Sequence, residues 1–379
     1  MGPLQGYRVI EIAGIGPGPF CAMLLADMGA DVVRVDRIDD RDPLGRDPRT
    51  QVMHRNRRSI AADLKLPEAV TAVLRLCGSA DALIEGFRPG VMERLGLGPE
   101  ACLGTNPRLV YGRMTGWGQD GPLAARAGHD INYTALSGVL GLLGRPEERP
   151  APPLNIAADM GGGGLLLAFG MVCALLEARR SGRGQVVDAS MVEGAALMAS
   201  TVHELRAGGW WDAARGRNLL DGGAPFYDVY ETRDGGFMAV GAIEPQFYAA
   251  LLDGLGLDPA ALPPQMDRAR WPQLRTKFAA AFASRTRAEW SEIFEGRDAC
   301  VTPVLSLPEA ALHPHNTERG VYLRRDGALQ AAPAPRFSRT PPVLALPPPR
   351  PGEHTDEVLA ESGFTPEEIE ALRRSGAVA

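Results

Sequence analysis

The sequence predicts an α/β protein: a large Rossmann-like parallel-sheet domain followed by a smaller α+β domain. Three observations carry this expectation. Strand-like and helix-like segments alternate through the first two hundred residues, the alternation gives way near residue 220 to a hairpin pattern, and a proline-rich stretch precedes a last return of helical periodicity.

The first strand is Tyr7 to Ile12, followed by the turn Gly14 to Gly18 and an apolar helix from Phe20 to Met28 that Gly29 closes; Asp31 to Val35 is the second strand. Strand, helix, strand within forty residues is a βαβ unit, which enforces parallel pairing and a right-handed crossover. Pro67 opens a helix over 68–76, Gly78 ends it, and Ala82 to Glu85 is the next strand. Arg108 to Met114 and Gln185 to Ser190 are further strands, with apolar helices near 131–143 and 165–179 between them. Past residue 220, Phe226 to Thr232 and Gly236 to Val240 flank the turn Arg233-Asp234-Gly235 as an antiparallel hairpin. Helical spacing follows over 246–255, 271–283 and 287–295. Eight prolines between Pro333 and Pro351 exclude a long helix there, and Thr365-Pro366-Glu367-Glu368 is a capping box that starts a final one. The expected organisation is a large domain over 1–200, a linker over 201–221, a small domain over 222–312, and a linker with C-terminal return to the large domain over 313–379.

The composition narrows the function. With 379 residues, 45% of them hydrophobic, there is material for a sizeable core, and glycine and proline stay below the share that marks low complexity. A net charge of −6 gives no basic field for nucleic acid, and 6% aromatic residues give no platform for stacked bases. The five cysteines are scattered without a CxxC, which fits reduced thiols in a cytoplasmic protein. No signal peptide opens the chain, and the most apolar stretch, 160–176, carries five glycines and reads as a buried core helix, so no membrane partner is expected. The six histidines show no zinc spacing and no GxSxG occurs, so neither a metal centre nor a serine hydrolase is expected.

Four constellations remain. Gly14-Ile15-Gly16-Pro17-Gly18-Pro19 with Asp36 has the outline of a dinucleotide fingerprint, but its third glycine is missing and its prolines remove N–H donors; a plain tight turn is the competing reading. Arg37, Arg41, Arg46, Arg49, Arg55, Arg57 and Arg58, with Lys65, form either a phosphate site or a loop of local ion pairs with neighbouring aspartates, and Arg88 at the end of a strand could join them. His129-Asp130 and Asp159 both stand at helix starts, where an acid is ordinarily a cap. The four glycines after Asp159 weaken a helix and so point to close backbone approach, and N–H groups there could hold an oxyanion. Glu244 opens a helix of the small domain.

Taken together these stretches resemble the family III CoA-transferase superfamily and, within it, the α-methylacyl-CoA racemases. The resemblance runs in order along nearly the whole chain: Val9-Ile10-Glu11, Gly16-Pro17-Gly18-Pro19, residues 31–37, Asp63-Leu64-Lys65, Phe87-Arg88-Pro89-Gly90, residues 115–118, residues 128–133, Asp159, residues 182–188, 221–227, 240–248 and 298–305. It implies an interlocked homodimer whose active site lies between one subunit's large domain and the other's small domain. It implies a racemase that interconverts (2R)- and (2S)-2-methylacyl-CoA by two-base proton transfer, with His129 and Asp159 as bases and Glu244 orienting His129. It implies contacts to CoA from Arg37, from Ala62, Asp63, Leu64 and Lys65, and from Gly128, Asp130, Ile131, Asn132 and Tyr133, with the enolate oxygen held by N–H groups near Asp159 and Met160. No cofactor is required, CoA being part of the substrate. The alternative within the superfamily is a CoA-transferase with Asp159 as nucleophile; His129 with Glu244 favours the racemase.

Overall fold

The computed structural model describes residues 2–39 and 45–379, and these divide into two compact units. The first comprises residues up to 137, 154–198 and 320–379; the second comprises 138–153 and 199–319. The stretch 138–153 therefore belongs with the second unit, and residues 201–221 fold with it rather than standing apart as a linker.

The first unit is built on six parallel strands: β1 (Arg8–Ile12), β2 (Asp31–Asp36), β3 (Arg57–Ala61), β4 (Ala82–Glu85), β5 (Val110–Thr115) and β6 (Val186–Ser190), in the order β3-β2-β1-β4-β5-β6. This is the doubly wound order, and it reverses direction between β1 and β4, where such sheets hold their ligands at the strands' carboxyl ends. Strand β3 falls inside the arginine-rich stretch, where charge hides its alternation. Helices α1 (Pro17–Asp27), α2 (Pro67–Gly78), α3 (Val91–Arg94), α4 (Pro99–Thr105) and α5 (Asp130–Leu136) follow the strands. Helix α5 is shorter than the expected 131–143, because Gly138 turns the backbone at φ 87°.

A π-helix over Ile156–Leu165 runs directly into α6 (Leu166–Ser181), which Gly182 closes in the left-handed conformation; α7 (Met191–Met198) follows β6. The glycine run lies inside the π-helix. A Cβ on Gly162 would come within 2.6 Å of the Ala195 nitrogen, and one on Gly164 within 2.7 Å of the Pro17 carbonyl, so the glycines let this turn lie directly on α7 and α1. The 26 residues from Ile156 to Ser181 are long and apolar enough to cross a membrane, but Leu167, Met171, Ala174 and Leu175 are buried against β5, β6 and α1 in the core of the unit.

One face of the sheet is covered by α1, α6 and α7, the other by α2, α4 and the returning chain. That return carries the hairpin β10 (Tyr322–Arg325) and β11 (Ala328–Ala331), then α14 (Thr355–Glu361) and α15 (Pro366–Arg374), whose Val358, Leu359 and Ile369 complete the second core. Residues 377–379 lie along β3, with the Ala379 N–H on the Ala61 carbonyl at 3.0 Å.

The second unit holds α8 (Ser200–Ala207), the antiparallel sheet β7 (Tyr227–Glu231), β8 (Phe237–Gly241) and β9 (Val301–Pro303), helices α9 (Pro245–Leu255), α10 (Trp271–Phe282) and α11 (Arg287–Phe294), and the short α12 (Leu307–Leu312) and α13 (Pro314–Arg319). The hairpin and α9–α11 match their expected bounds to within a residue or two; β9, a three-residue strand containing proline, was not expected. Its core is aromatic, with Tyr230 stacked on Phe282 and Trp290 on Phe294.

Candidate active site

Above the carboxyl ends of β1, β4 and β5 lies a cleft of about 1780 Å³, wholly within the first unit. This exceeds the roughly 300–1,000 Å³ of a drug-sized pocket and suits a long ligand. Its walls include Gly14 to Pro19, Arg37, Ala62 to Lys65, Glu85 to Pro89, Thr115 to Trp117, Gly128, His129, Tyr133 and Asp159.

Asp159 sits in the first turn of the π-helix, beside the turn that starts α1. Gly16 has φ 69°, and a Cβ placed on it would stand 3.3 Å from the Asp159 Oδ2, so the glycine brings backbone up to this carboxylate. Asn155 Nδ2 lies 3.5 Å from the same oxygen. Burial, and then the negative charge of Asp130, push the Asp159 carboxyl above its ordinary range, with Asn155 and His129 opposing. His129 caps α5, its N–H held by Asn132 Oδ1 at 3.0 Å, and its exposed ring borders the same cleft. Tyr133 packs edge-on against Trp117 with ring centroids 4.7 Å apart. Cβ atoms on Gly116 or Gly128 would run into the Tyr133 ring, so both glycines make room for it. Burial and the Asp159 charge raise the Tyr133 hydroxyl, while Arg88 pulls it down, which places all three around one end of the cleft.

Asp130 is not on the wall. It is 4% exposed, and its Oδ2 accepts the N–H groups of Ala158 and Asp159, each at 2.8 Å, while Oδ1 accepts the Thr134 hydroxyl at 2.9 Å. One carboxylate thus ties the start of α5 to the turn carrying Asp159. Asn132 is a capping residue and Ile131 an exposed one, and neither lines the cleft. The two N–H groups expected to receive an enolate oxygen are committed: that of Asp159 to Asp130, that of Met160 to the Asn155 carbonyl at 3.2 Å. Glu244 lies in the second unit, at the N-cap of α9; its exposed side chain makes no capping bond there, and Pro245 at the first helical position removes one N–H it would otherwise have faced.

The arginine cluster resolves mostly into structure. Arg57 is fully buried and pairs with Glu11 at 2.5 Å. Arg55 pairs with Asp27 at 2.6 Å, Arg58 with Asp31 at 2.8 Å and Arg49 with Glu353 at 2.5 Å. Arg41 lies outside the described residues. Arg37, Arg46, Lys65 and Arg88 border the cleft. Asp36 accepts from Arg34 Nε at 2.7 Å and from the Ser59 hydroxyl at 2.6 Å, one bond to each oxygen, so the acid that would hold a dinucleotide ribose is taken up within the sheet.

Strand order and cleft position thus define a doubly wound α/β chain with a long ligand cleft at its switch point, one end furnished with titratable groups. The chain belongs to the CoA-transferase family III, whose sequence pattern matches residues 4–355. It is 55% identical to the α-methylacyl-CoA racemase of Mus musculus, over 97% of this chain and 95% of that one. It is 51% identical to the α-methylacyl-CoA racemase of Homo sapiens, over 97% and 96%. Among solved structures, a CAIB/BAIF family protein from Brucella suis superposes with a TM-score of 0.82 at 26% identity, over 95% of this chain and 99% of that one.

Proposed function

We propose that this protein is an isomerase that interconverts (2R)- and (2S)-2-methylacyl-CoA thioesters, a step in the metabolism of branched-chain lipids. The observation that carries the reading is a single cleft bordered by His129 and by an Asp159 whose proton affinity is raised, in a chain more than half identical to an α-methylacyl-CoA racemase.

The α-carbon of such a thioester bears a weakly acidic proton. His129 removes it, the C–H electron pair passes into the enolate, and Asp159 returns a proton to the opposite face of that carbon. A carboxyl held above its ordinary range keeps its proton closer to neutrality, which suits Asp159 as the acid in this direction and the base in reverse. Each turnover leaves His129 protonated and Asp159 ionised, so exchange with water restores the starting state. The reaction needs no cofactor and no metal. Arg37, Ala62 to Lys65 and Arg88, all on the cleft wall, hold the CoA portion, with the arginines and Lys65 facing its phosphates and polar groups.

The working form is a cytoplasmic homodimer in which Glu244 of the partner subunit orients the His129 ring. What supports a dimer is the outer face of the long helix: Leu165, Phe169 and Leu176 recur at helical spacing and are 53%, 67% and 63% exposed, an apolar stripe that a second copy would cover. Sedimentation at micromolar concentration checks this, and a monomer with full activity would sink it.

The test of the reaction is incubation of one 2-methylacyl-CoA enantiomer in D2O without any acceptor acid. Deuterium entering the α-carbon together with inversion is the expected result. CoA moving to an added labelled carboxylate, with no α-exchange, would instead make Asp159 a nucleophile and the protein a CoA-transferase.

A further inference from the structure

Glu85 closes β4 at the floor of the cleft and takes no part in the proton transfer above. It is 1% exposed, yet ionisable, and both its oxygens face donors: Oε2 accepts the Phe87 N–H at 2.7 Å, and Oε1 accepts Arg113 Nε at 3.1 Å. Arg113 reaches on from β5 to Glu93 of α3, with one contact at 2.9 Å and another at 3.3 Å. Between Glu85 and Glu93 runs the loop 86–90, which carries Arg88 on the cleft wall and turns into α3 through Gly90 at φ 80°. The two acids, bridged by one guanidinium, therefore grip both ends of the segment that presents Arg88.

We propose that Glu85 is a positioning residue: its ionised carboxylate, by holding the Phe87 N–H and Arg113 together, fixes the Arg88 loop and thereby sets the affinity of the cleft for CoA thioesters. The inference rests on the reading that Arg88 contacts the CoA-bearing substrate.

The chemistry of the two contacts makes the effect depend on ionisation. Both partners are donors, so only a carboxylate satisfies them; a protonated acid, or a glutamine, turns one donor toward another and must release either the loop or Arg113. Burial raises the Glu85 carboxyl to about 7, opposed by the Phe87 N–H and Arg113 and assisted by Glu93. The other charged and titratable groups on its face of the sheet are Tyr111 on β5 and Asp188, opposite Arg113 on β6. Affinity should then fall as pH drops through about 7, where Glu85 takes up its proton.

The experiment measures Kd for CoA by calorimetry, and KM and kcat for one 2-methylacyl-CoA enantiomer, at pH 6 and pH 8. The proteins are the parent, Glu85→Gln, Arg88→Ala and the double variant. At pH 8, Glu85→Gln should weaken CoA binding and raise KM about tenfold with kcat nearly unchanged, the scale of a lost bond to a charged group. The double variant should bind no more weakly than Arg88→Ala alone. The phosphates of CoA titrate near pH 6 in every variant, so the informative quantity is the extra loss at pH 6 that the parent shows and Glu85→Gln lacks. Glu85→Asp, which keeps the charge but is too short to meet both donors, should lose affinity like the glutamine and serves if that variant does not fold.

Parent-like affinity of Glu85→Gln and Glu85→Asp at pH 8, alongside a weakened Arg88→Ala, overturns the inference and leaves the reading of Arg88 standing. So do additive losses in the double variant, or an equal pH response in parent and Glu85→Gln. Parent-like binding by Arg88→Ala removes the reading on which the inference rests.

Discussion

Two groups of buried acids in the first unit are treated in opposite ways. Beneath the cleft, Glu11 receives Arg34 at 2.8 Å and Arg57 at 2.5 Å, and Asp36 receives Arg34 and the Ser59 hydroxyl. Every oxygen there has a donor of its own, and most of those donors are cations. At the cleft, Asp159 is half-covered and faces another carboxylate, Asp130, with only a distant Asn155 amide and His129 to offset it. Burial raises the proton affinity of a carboxyl, and nearby donors and cations oppose it in proportion to their number and charge. The first arrangement welds β1, β2 and β3 together; the second keeps a proton available beside a ligand.

The sharpest break of this contrast is at the proton carriers. Asp159→Asn and His129→Ala should each lower turnover about 10²–10⁴-fold, the range for a positioned acid or base, with the Kd for CoA and the melting temperature nearly unchanged. Following each enantiomer separately in D2O should show His129→Ala abolishing inversion from both, with α-deuterium exchange lost from the enantiomer whose proton faces His129 but kept, without inversion, for the one facing Asp159; equal loss of exchange from both, or loss of CoA binding, would argue against the assignment.

Arg57→Met should do the reverse. Removing one partner of a buried pair leaves charge uncompensated, so it should cost about 3–5 kcal/mol of stability, read by denaturant unfolding, while kcat per folded molecule is kept. If Arg57→Met were as stable as the parent but could not bind CoA, the network would be part of the ligand site.

Asp130→Asn sharpens the comparison by removing charge with little change of shape. The asparagine carbonyl still accepts the N–H groups of Ala158 and Asp159, and its amide can turn to the Thr134 hydroxyl. The negative charge that raises Asp159 is gone, so the limb of the pH–rate profile governed by Asp159 should move to lower pH, and turnover near neutrality should fall about tenfold as less of the acid form remains. A limb that stays in place would show that burial alone sets Asp159.

How far the sequence foretold this depended on whether a residue's role is local. The βαβ opening, the hairpin of the second unit and the capping box at Thr365 follow from periodicity and neighbours, and they recur in the structure. Strand β3 did not, because Arg57 looks like surface until Glu11, 46 residues earlier, is seen to receive it. The family resemblance makes Asp130 a ligand contact; the structure gives its carboxylate backbone partners 28 and 29 residues on, which no local pattern announces. Glu85 was only the last residue of a strand, since nothing in ALIE shows an arginine arriving from β5. The glycines after Asp159 did signal close approach, but of helix against helix rather than of ligand against backbone.

Gly16→Ala is the mildest test and bears on the uncompensated side alone. At φ 69° and ψ −119° the backbone lies in a region that favours glycine, and an alanine held there costs about 1–3 kcal/mol. Its methyl would also stand 3.3 Å from the Asp159 Oδ2, so the carboxylate must shift by a few tenths of an ångström or lose part of its access to water. Further desolvation raises a carboxyl, so the Asp159 limb should move to higher pH, opposite in sign to Asp130→Asn. The displacement of the carboxylate, not its protonation, should lower turnover near neutrality by about fivefold, the kinetic equivalent of roughly 1 kcal/mol, and the melting temperature should drop by a few degrees. The opposed movement of the two limbs is the decisive reading: shifts in the same direction would mean that Asp130 and Gly16 act on Asp159 only through its position, and that the charge contrast between the two groups of acids does not govern the chemistry.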